Sequence, residues 1–392
     1  MNLHKANILI ASGFAATYGG NFIAMLKVLA AKLKSDYQCN IIFVFPQQKP
    51  KPWLDNLNVE YIVRYTQNRF KKTAKELQEI ISEFNIDLIY THFDVYDIPV
   101  AKAIKRSKRD IKFVLHLHNY LTLETKKLPY TFLRKLKRHF FYWLKYGYWC
   151  KNAFYIGVSS EVTYFASHYR THIFSFPKKG TSSYLAVTNY PNAEVVINGI
   201  DISRINKLDY ESNNKNHIRF LSFGGDAFTK GISTILKAAE YIETQDLSFE
   251  LYITNGYKVP ELLDKYYGNN KWPNWLKVLD ETENISHLFN ICDVYISASY
   301  YETMSMAIAE ASIFGLPIIQ SDIPGTMWNT DIPSSFLFKV GDASDLASQM
   351  IKIIKIDKAF LKEQCKVSSQ INKKRLDINV WCNSIISIYK KL

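Results

Sequence analysis

Apolar and polar positions alternate along this chain between short apolar runs and stretches with helical spacing, almost from end to end. That pattern predicts an α/β protein with parallel strands joined by crossover helices. In the first half, apolar runs predict strands over 7–12, 39–45, 59–64, 87–93, 112–118 and 153–159, with a short one at 194–198. Helical spacing predicts helices over 21–34, 70–84 and 96–108. A second series of strands starts at Ile218 and continues over 249–254, 276–279, 294–299, 317–321 and 335–340, with a helix over 232–242. The series restarts after the turn signal Asn198-Gly199 and the polar stretch 209–216, so the domain boundary belongs there. The expectation is two doubly wound domains of similar size, 1–198 and 199–372. A C-terminal helix in 373–392 packs back toward the first. Such sheets bind ligands at the carboxyl ends of their strands, here around a shared cleft.

Composition narrows the class. With 392 residues the chain exceeds the size at which single cores tend to split, and 47% hydrophobic with 22% charged residues is the balance of a soluble globular protein. The N-terminus enters a strand-like run without a signal-peptide pattern, and no apolar span reaches transmembrane length. The five cysteines are scattered with no metal-like spacing, which predicts a reduced, cytoplasmic protein. Charge is uneven. Residues 1–200 carry 28 Lys and Arg against 13 Asp and Glu, whereas residues 201–392 carry 21 against 23. A basic first half calls for an anionic partner.

The most informative segment is 300–317. From Met304 to Phe314 it is apolar on almost every face, which reads as a helix buried on most sides. Glu302 and Glu310 are its carboxylates, and an unpartnered carboxylate would be costly there. On a helix their spacing spans roughly 12 Å, suited to the two ends of an elongated polar ligand. Amides of the first turn, around Thr303, Met304, Ser305 and Met306, favour an anion. The plain alternative makes Glu302 a loop or capping residue and Glu310 a satisfied core charge. Lys230 stands at the entrance of the helix after strand 218–225, where its ammonium and the amide dipoles add up on an anion. An exposed helix-start lysine is the alternative. The loop after the first strand holds Gly13, Gly19 and Gly20, either a close backbone approach to a phosphate or acceptor or a tight turn. His116 and His118 share one face at the carboxyl end of a strand. No third ligand accompanies them in the sequence, so a hydrogen-bonding His at a sugar site or a structural His is expected rather than a metal pair. From Lys126 to Lys151, the basic residues Lys126, Lys127, Arg134, Lys135, Lys137, Arg138, Lys145 and Lys151 mix with Phe132, Phe140, Phe141, Tyr142, Trp143, Tyr146, Tyr148 and Trp149. This suits a membrane-interface helix, or a core helix with a solvated basic face. Aromatic interleaving also suits single-stranded nucleic acid, but no nucleic-acid motif accompanies it.

Together these features resemble the retaining glycosyltransferases of family 4, which have the GT-B fold of two Rossmann-like domains. The matching pieces are the Glu302/Glu310 pair, the Gly315-Leu316-Pro317 continuation, Lys230-Gly231, the 198–201 linker and Gly19-Gly20. The resemblance implies that Glu302 contacts the donor sugar, Glu310 the ribose, and Lys230 the leaving diphosphate, with His118 near the transferred sugar. It implies front-side attack with retention and no metal or other cofactor. The chain departs from the family at Gly225, where an arginine is usual, and at Thr303, Met304 and Ser305. The resulting expectation is a cytoplasmic transferase, peripheral on the inner face of the plasma membrane through Lys126 to Lys151. It would move a sugar from a nucleotide-sugar, a UDP-sugar, to a glycan or lipid-linked acceptor of a surface polysaccharide, with no nucleic-acid partner. A GT-B nucleotide-sugar epimerase and a non-catalytic sugar-binding protein are the alternatives.

Overall fold

A computed structural model describes residues 1–47, 49–67, 70–119, 132–172, 192–206, 217–268 and 271–392. The linker stretch 209–216, and Lys126 and Lys127 of the basic segment, lie outside the described residues. The chain forms two compact units: Met1–Gly199 with Ile378–Leu392, and Ile200–Asp377. Both are Rossmann-like α/β domains built on a parallel sheet with crossover helices.

Unit 1 runs β1 (Asn7–Ser12), α1 (Gly20–Tyr37), β2 (Asn40–Pro46), α2 (Pro52–Glu60), β3 (Ile62–Thr66), α3 (Phe70–Glu83), β4 (Leu88–His92) and α4 (Asp97–Ser107). It continues with β5 (Lys112–Leu117), α5 (Phe132–Tyr142), a π-helical stretch (Trp143–Trp149), β6 (Phe154–Gly157), α6 (Ser160–Thr171) and β7 (Ala193–Val195). The strand order is β3-β2-β1-β4-β5-β6-β7. Strands β1, β2, β4 and β5 are buried over most of their length, as expected of a parallel sheet covered on both faces. One strand expectation is corrected. Residues 59–64 do not form one strand, because α2 runs to Glu60 and β3 begins at Ile62. Pro52 opens that helix, where a fixed φ and a missing N–H cost nothing. It leaves Val59 88% exposed, so the residue that looked like strand core faces solvent.

Unit 2 contains β8 (Ile218–Ser222), β9 (Gly225–Asp226), α7 (Ile232–Glu243), β10 (Phe249–Thr254), β11 (Gly256–Tyr257), α8 (Val259–Tyr267), β12 (Leu276–Leu279) and α9 (Ile285–Asn290). Then follow β13 (Val294–Ser297), α10 (Met306–Phe314), β14 (Ile318–Ser321), β15 (Ser335–Phe338), α11 (Ala343–Lys355) and α12 (Lys358–Arg375). The main sheet has the order β12-β10-β8-β13-β14-β15, with a separate β9/β11 pair. Its core is Phe220, Leu236, Leu251, Ile253, Ile296, Ile319 and their neighbours. The last helix, α13 (Ile378–Lys391), belongs to unit 1. There Tyr389 packs edge-on to Tyr90 at 5.6 Å between ring centres, and Trp381 lies over His116.

In each sheet the strand order reverses direction at one place, β1/β4 in unit 1 and β8/β13 in unit 2. Loops leaving adjacent strands diverge at such a point and open a crevice for ligands. Lys230 and Glu302 sit on the loops after β8 and β13, at the second of these places.

Candidate functional site

In unit 2 the loop after β8 meets the loop after β13. The Tyr300 amide donates to Thr229 O at 2.9 Å, the Thr229 and Tyr301 hydroxyls lie 3.1 Å apart, and the Thr234 and Tyr300 hydroxyls 2.9 Å apart. These bonds bring Lys230 from one loop against Glu302 from the other. Lys230 Nζ donates to Glu302 Oε1 at 2.5 Å, and Ser299 Oγ donates to the same oxygen at 3.0 Å. A cation and an anion that are distant in sequence therefore form one half-buried pair at the switch point.

Two glycines make this approach fit. Gly225 has φ +42, and a Cβ there would lie 3.2 Å from Cε of Lys230. The lysine stem lies over the bare backbone, so an arginine at this position would be strained and would crowd it. Asp226, next in the loop, accepts from the Thr229 amide at 2.7 Å and holds the turn. Gly325 lies behind Glu302: a Cβ at 325 would sit 2.1 Å from the Glu302 carbonyl oxygen.

The helix after Glu302 begins later than its sequence indicates. α10 starts at Met306 with Ser305 as its N-cap, and Glu302, Thr303 and Met304 precede it in non-helical backbone. The helical spacing between Glu302 and Glu310 is corrected accordingly, and so is the set of first-turn amides. Ser305 N donates to Gly325 O at 3.4 Å, so the turn without intrahelical acceptors begins at Met306. The reason is tertiary: the 320s loop takes the Ser305 amide, and Glu302 is drawn to Lys230. From behind, α12 fixes α10: Asn372 Nδ2 donates to Ser312 Oγ at 2.6 Å and Ser369 Oγ to Ile313 O at 2.6 Å.

Glu310 is buried on α10. Burial pushes its carboxyl up to about 7, opposed by Arg204, whose guanidinium lies 3.9 Å away. Arg204 ends a short 3₁₀ turn, Ile202–Arg204, just inside unit 2. Nothing in the sequence marked it, because the only local sign was one arginine after a turn signal.

In unit 1, Gly19 is the N-cap of α1 and Gly20 its first residue, with φ +53. His118 follows β5, packed against Phe22 and Phe93. The structure adds a third histidine: His92 ends β4, in register with His116, and its Nδ1 lies 2.9 Å from His118 Nε2. His116 Nδ1 lies 2.5 Å from the Tyr90 hydroxyl. Burial holds His118 down to about 3, with Asp94 pulling the other way, and likewise holds His92 and His116 well below the usual imidazole range. All three imidazoles are neutral near pH 7.

Asp94 is a further group that sequence reading missed. Phe93 and Asp94 both take left-handed backbone, at φ +59 and +58, unusual for such residues and a sign of local strain. Asn119 Nδ2 donates to Asp94 Oδ2 at 2.7 Å, and buried Lys145 donates to its other oxygen and pairs with Asp97 at 2.7 Å. Burial alone would discharge Lys145, but Asp97 and Asp94 outweigh it and hold the ammonium firmly charged. A lysine read from sequence as part of a basic face is thus a buried clamp beneath the loop.

The helix α5 is turned outward. Its buried and half-buried positions are Lys135, Arg138, His139 and Tyr142, while Phe132, Leu133, Leu136, Phe140 and Phe141 are exposed, the first two at 69% and 68%. The reading in which these aromatics pack inward is therefore corrected for Phe132, Phe140 and Phe141, while Tyr142 does pack inward. Further along, Tyr146 is buried. Among the described residues no helix is long and apolar enough to cross a membrane.

No curated protein sequence matches the chain. Solved structures match it over nearly its whole length, at low identity. A glycosyltransferase from Rickettsia africae aligns with TM-score 0.73 and 15% identity over 99% of this chain and 98% of its own. Anabaena HepE, solved in complex with UDP-glucose, aligns with TM-score 0.73 and 16% identity over 98% and 100%. Sucrose-phosphate synthase from Thermosynechococcus elongatus gives 0.73 and 14% over 98% of each chain. These likenesses establish the GT-B fold. Residues 203–375, nearly all of unit 2, match the family model for glycosyl transferases group 1.

Proposed function

We propose that the chain is a retaining glycosyltransferase that moves a sugar from a UDP-sugar to a glycan or lipid-linked acceptor in surface-polysaccharide synthesis. The observation that carries this reading is the Lys230–Glu302 pair at the switch point of unit 2, followed by the helix that bears Glu310. The UDP and UDP-glucose bound by the Anabaena neighbour support the choice of donor.

In the structure Glu302 pairs with Lys230. An arriving diphosphate carries more charge than one carboxylate and draws Lys230 onto itself, which frees Glu302 for the hydroxyls of the donor sugar. Glu310 accepts from the ribose. Lys230, the backbone at Gly225 and the amides that begin at Met306 then stabilise charge on the departing diphosphate, where it develops in the transition state. Thr303, Met304 and Ser305 shape the turn that carries Glu302. The bond from the anomeric carbon to phosphate breaks as the acceptor oxygen bonds to the same face. The acceptor proton passes to the leaving phosphate oxygen, so no protein nucleophile is needed. Positive charge comes from the protein, so the diphosphate needs no metal. We assign His118 to sugar recognition, the Gly19–Gly20 turn to the acceptor, and the outward apolar and basic face of α5 to an anionic membrane surface.

The direct test is incubation with radiolabelled UDP-sugars with and without membranes, in the presence of a chelator. Label moving into the membrane fraction, with the anomeric configuration kept, is expected. Label remaining on an altered nucleotide-sugar would instead favour an epimerase.

A further inference from the structure

Three histidines meet on one face of the unit 1 sheet, and the transfer reading uses only one. His92 on β4 is the register partner of His116 on β5, and His118 follows two residues later on the same face. One ring nitrogen from each lies within 4.8 Å of the other two. His92 and His116 are 0% and 2% exposed, and Nε2 of each has no hydrogen-bond partner among the described residues. A buried polar nitrogen left so is costly, and two at one place call for an occupant.

The surroundings suit a cation. With His116 Nδ1–H donating to the Tyr90 oxygen, its Nε2 keeps a lone pair, which is how an outer partner prepares a ligating histidine. His118 is only half-buried, and Asp94 lies close enough for its charge to act on that ring. A tetrahedral site with the usual zinc–nitrogen bond sets its ligand nitrogens roughly 3.4 Å apart. Small side-chain rotations therefore close the cluster.

We propose that His92, His116 and His118 bind one divalent cation of the zinc class through three imidazole nitrogens, leaving one coordination position open. Imidazole is a preferred ligand for such ions, and a three-histidine set with a fourth open position is an established zinc geometry. The cation would occupy the imidazole that the transfer reading gives to the sugar, so loading the site and that role of His118 compete. Binding itself does not depend on that reading.

The test is titration of the chelator-treated full chain with Co(II), followed by displacement with Zn(II). One equivalent should give the visible absorption of nitrogen-bound, low-coordinate cobalt, and zinc should abolish it. His118→Ala and His116→Gln should each weaken binding by about a hundredfold or more, and zinc should raise the unfolding temperature of the wild type but of neither variant. The rival is the surface pair His168 and His172, one turn apart on and just beyond α6 with rings 4.7 Å apart, so His172→Ala should bind as wild type. If buried His116→Gln does not fold, half-buried His118→Ala decides alone. A missing one-equivalent signal, unchanged binding in His118→Ala, or loss of binding in His172→Ala would overturn the proposal.

Discussion

At the scale of single residues, Lys230 and Glu310 depend on different physics. In the proposed reaction Lys230 acts by charge at the developing diphosphate, so Lys230→Ala should lower turnover by on the order of 10²–10³-fold, the usual cost of removing one transition-state contact. Single-turnover kinetics with saturating donor would check this, and an unchanged rate would mean that another group neutralises the phosphate. Glu310 acts through burial. Its folded pKa of about 7 lies above the ordinary 4.5, so the folded protein holds the proton more tightly than the unfolded chain. The stability this adds is complete below about pH 4.5 and is lost as pH rises through 7. Wild type should therefore lose about 1 kcal/mol per pH unit across that window relative to Glu310→Gln, compared by urea unfolding at pH 5.5 and 7.5. Nucleotide binding should run the other way, strengthening toward pH 8 as Glu310 ionises and becomes a better acceptor for ribose hydroxyls. The Gln variant should show neither trend.

Among elements, the turn before α10 matters more than the helix. Glu302 is held from the front by Lys230 and Ser299 and from behind by the bare backbone at Gly325. A methyl group at 325 cannot fit without moving the Glu302 carbonyl. Gly325→Ala should thus destabilise unit 2 by about 1–3 kcal/mol, the range for overpacking, and lower turnover at least tenfold without touching substrate. Calorimetry and steady-state kinetics read the two effects separately. A variant that loses stability but keeps full turnover would show that Glu302 tolerates displacement and is not the sugar contact.

For the whole molecule the governing feature is charge asymmetry, a net +15 over residues 1–200 against −2 over the remainder. The outward face of α5 adds apolar side chains to that basic half. Binding to anionic vesicles should exceed binding to neutral ones and fall with salt, since the Debye length is about 10 Å at 0.1 M. Replacing Arg134 and Lys137 with Gln should weaken it by about 1 kcal/mol per charge while leaving UDP affinity intact. Arg138 is better left alone, because it donates to the Tyr142 hydroxyl at 2.9 Å and helps hold the helix. Sedimentation with vesicles of defined lipid charge is the measurement. Equal binding to neutral and anionic vesicles would remove the membrane from the assignment.

Local pattern determined a good deal of this protein. The strand at Phe249–Thr254, the helix starting at Ile232 and the alternation that makes both sheets parallel are legible because an apolar run or a helical stripe lies within a few neighbouring residues. Lys230, Glu302 and Glu310 were legible as candidates because each is a charge placed where an apolar or helix-entry context makes it conspicuous. Tertiary structure decided what each of them touches. Glu302 left the helix for a lysine 72 residues away, and Arg204 came to Glu310 from a turn that no periodicity marks. His92 joined His118 across 26 residues because β4 and β5 pair in one register and no other. Register, and which face of α5 looks outward, follow from which surfaces bury against each other. That is a property of the folded whole, and no local window of sequence contains it.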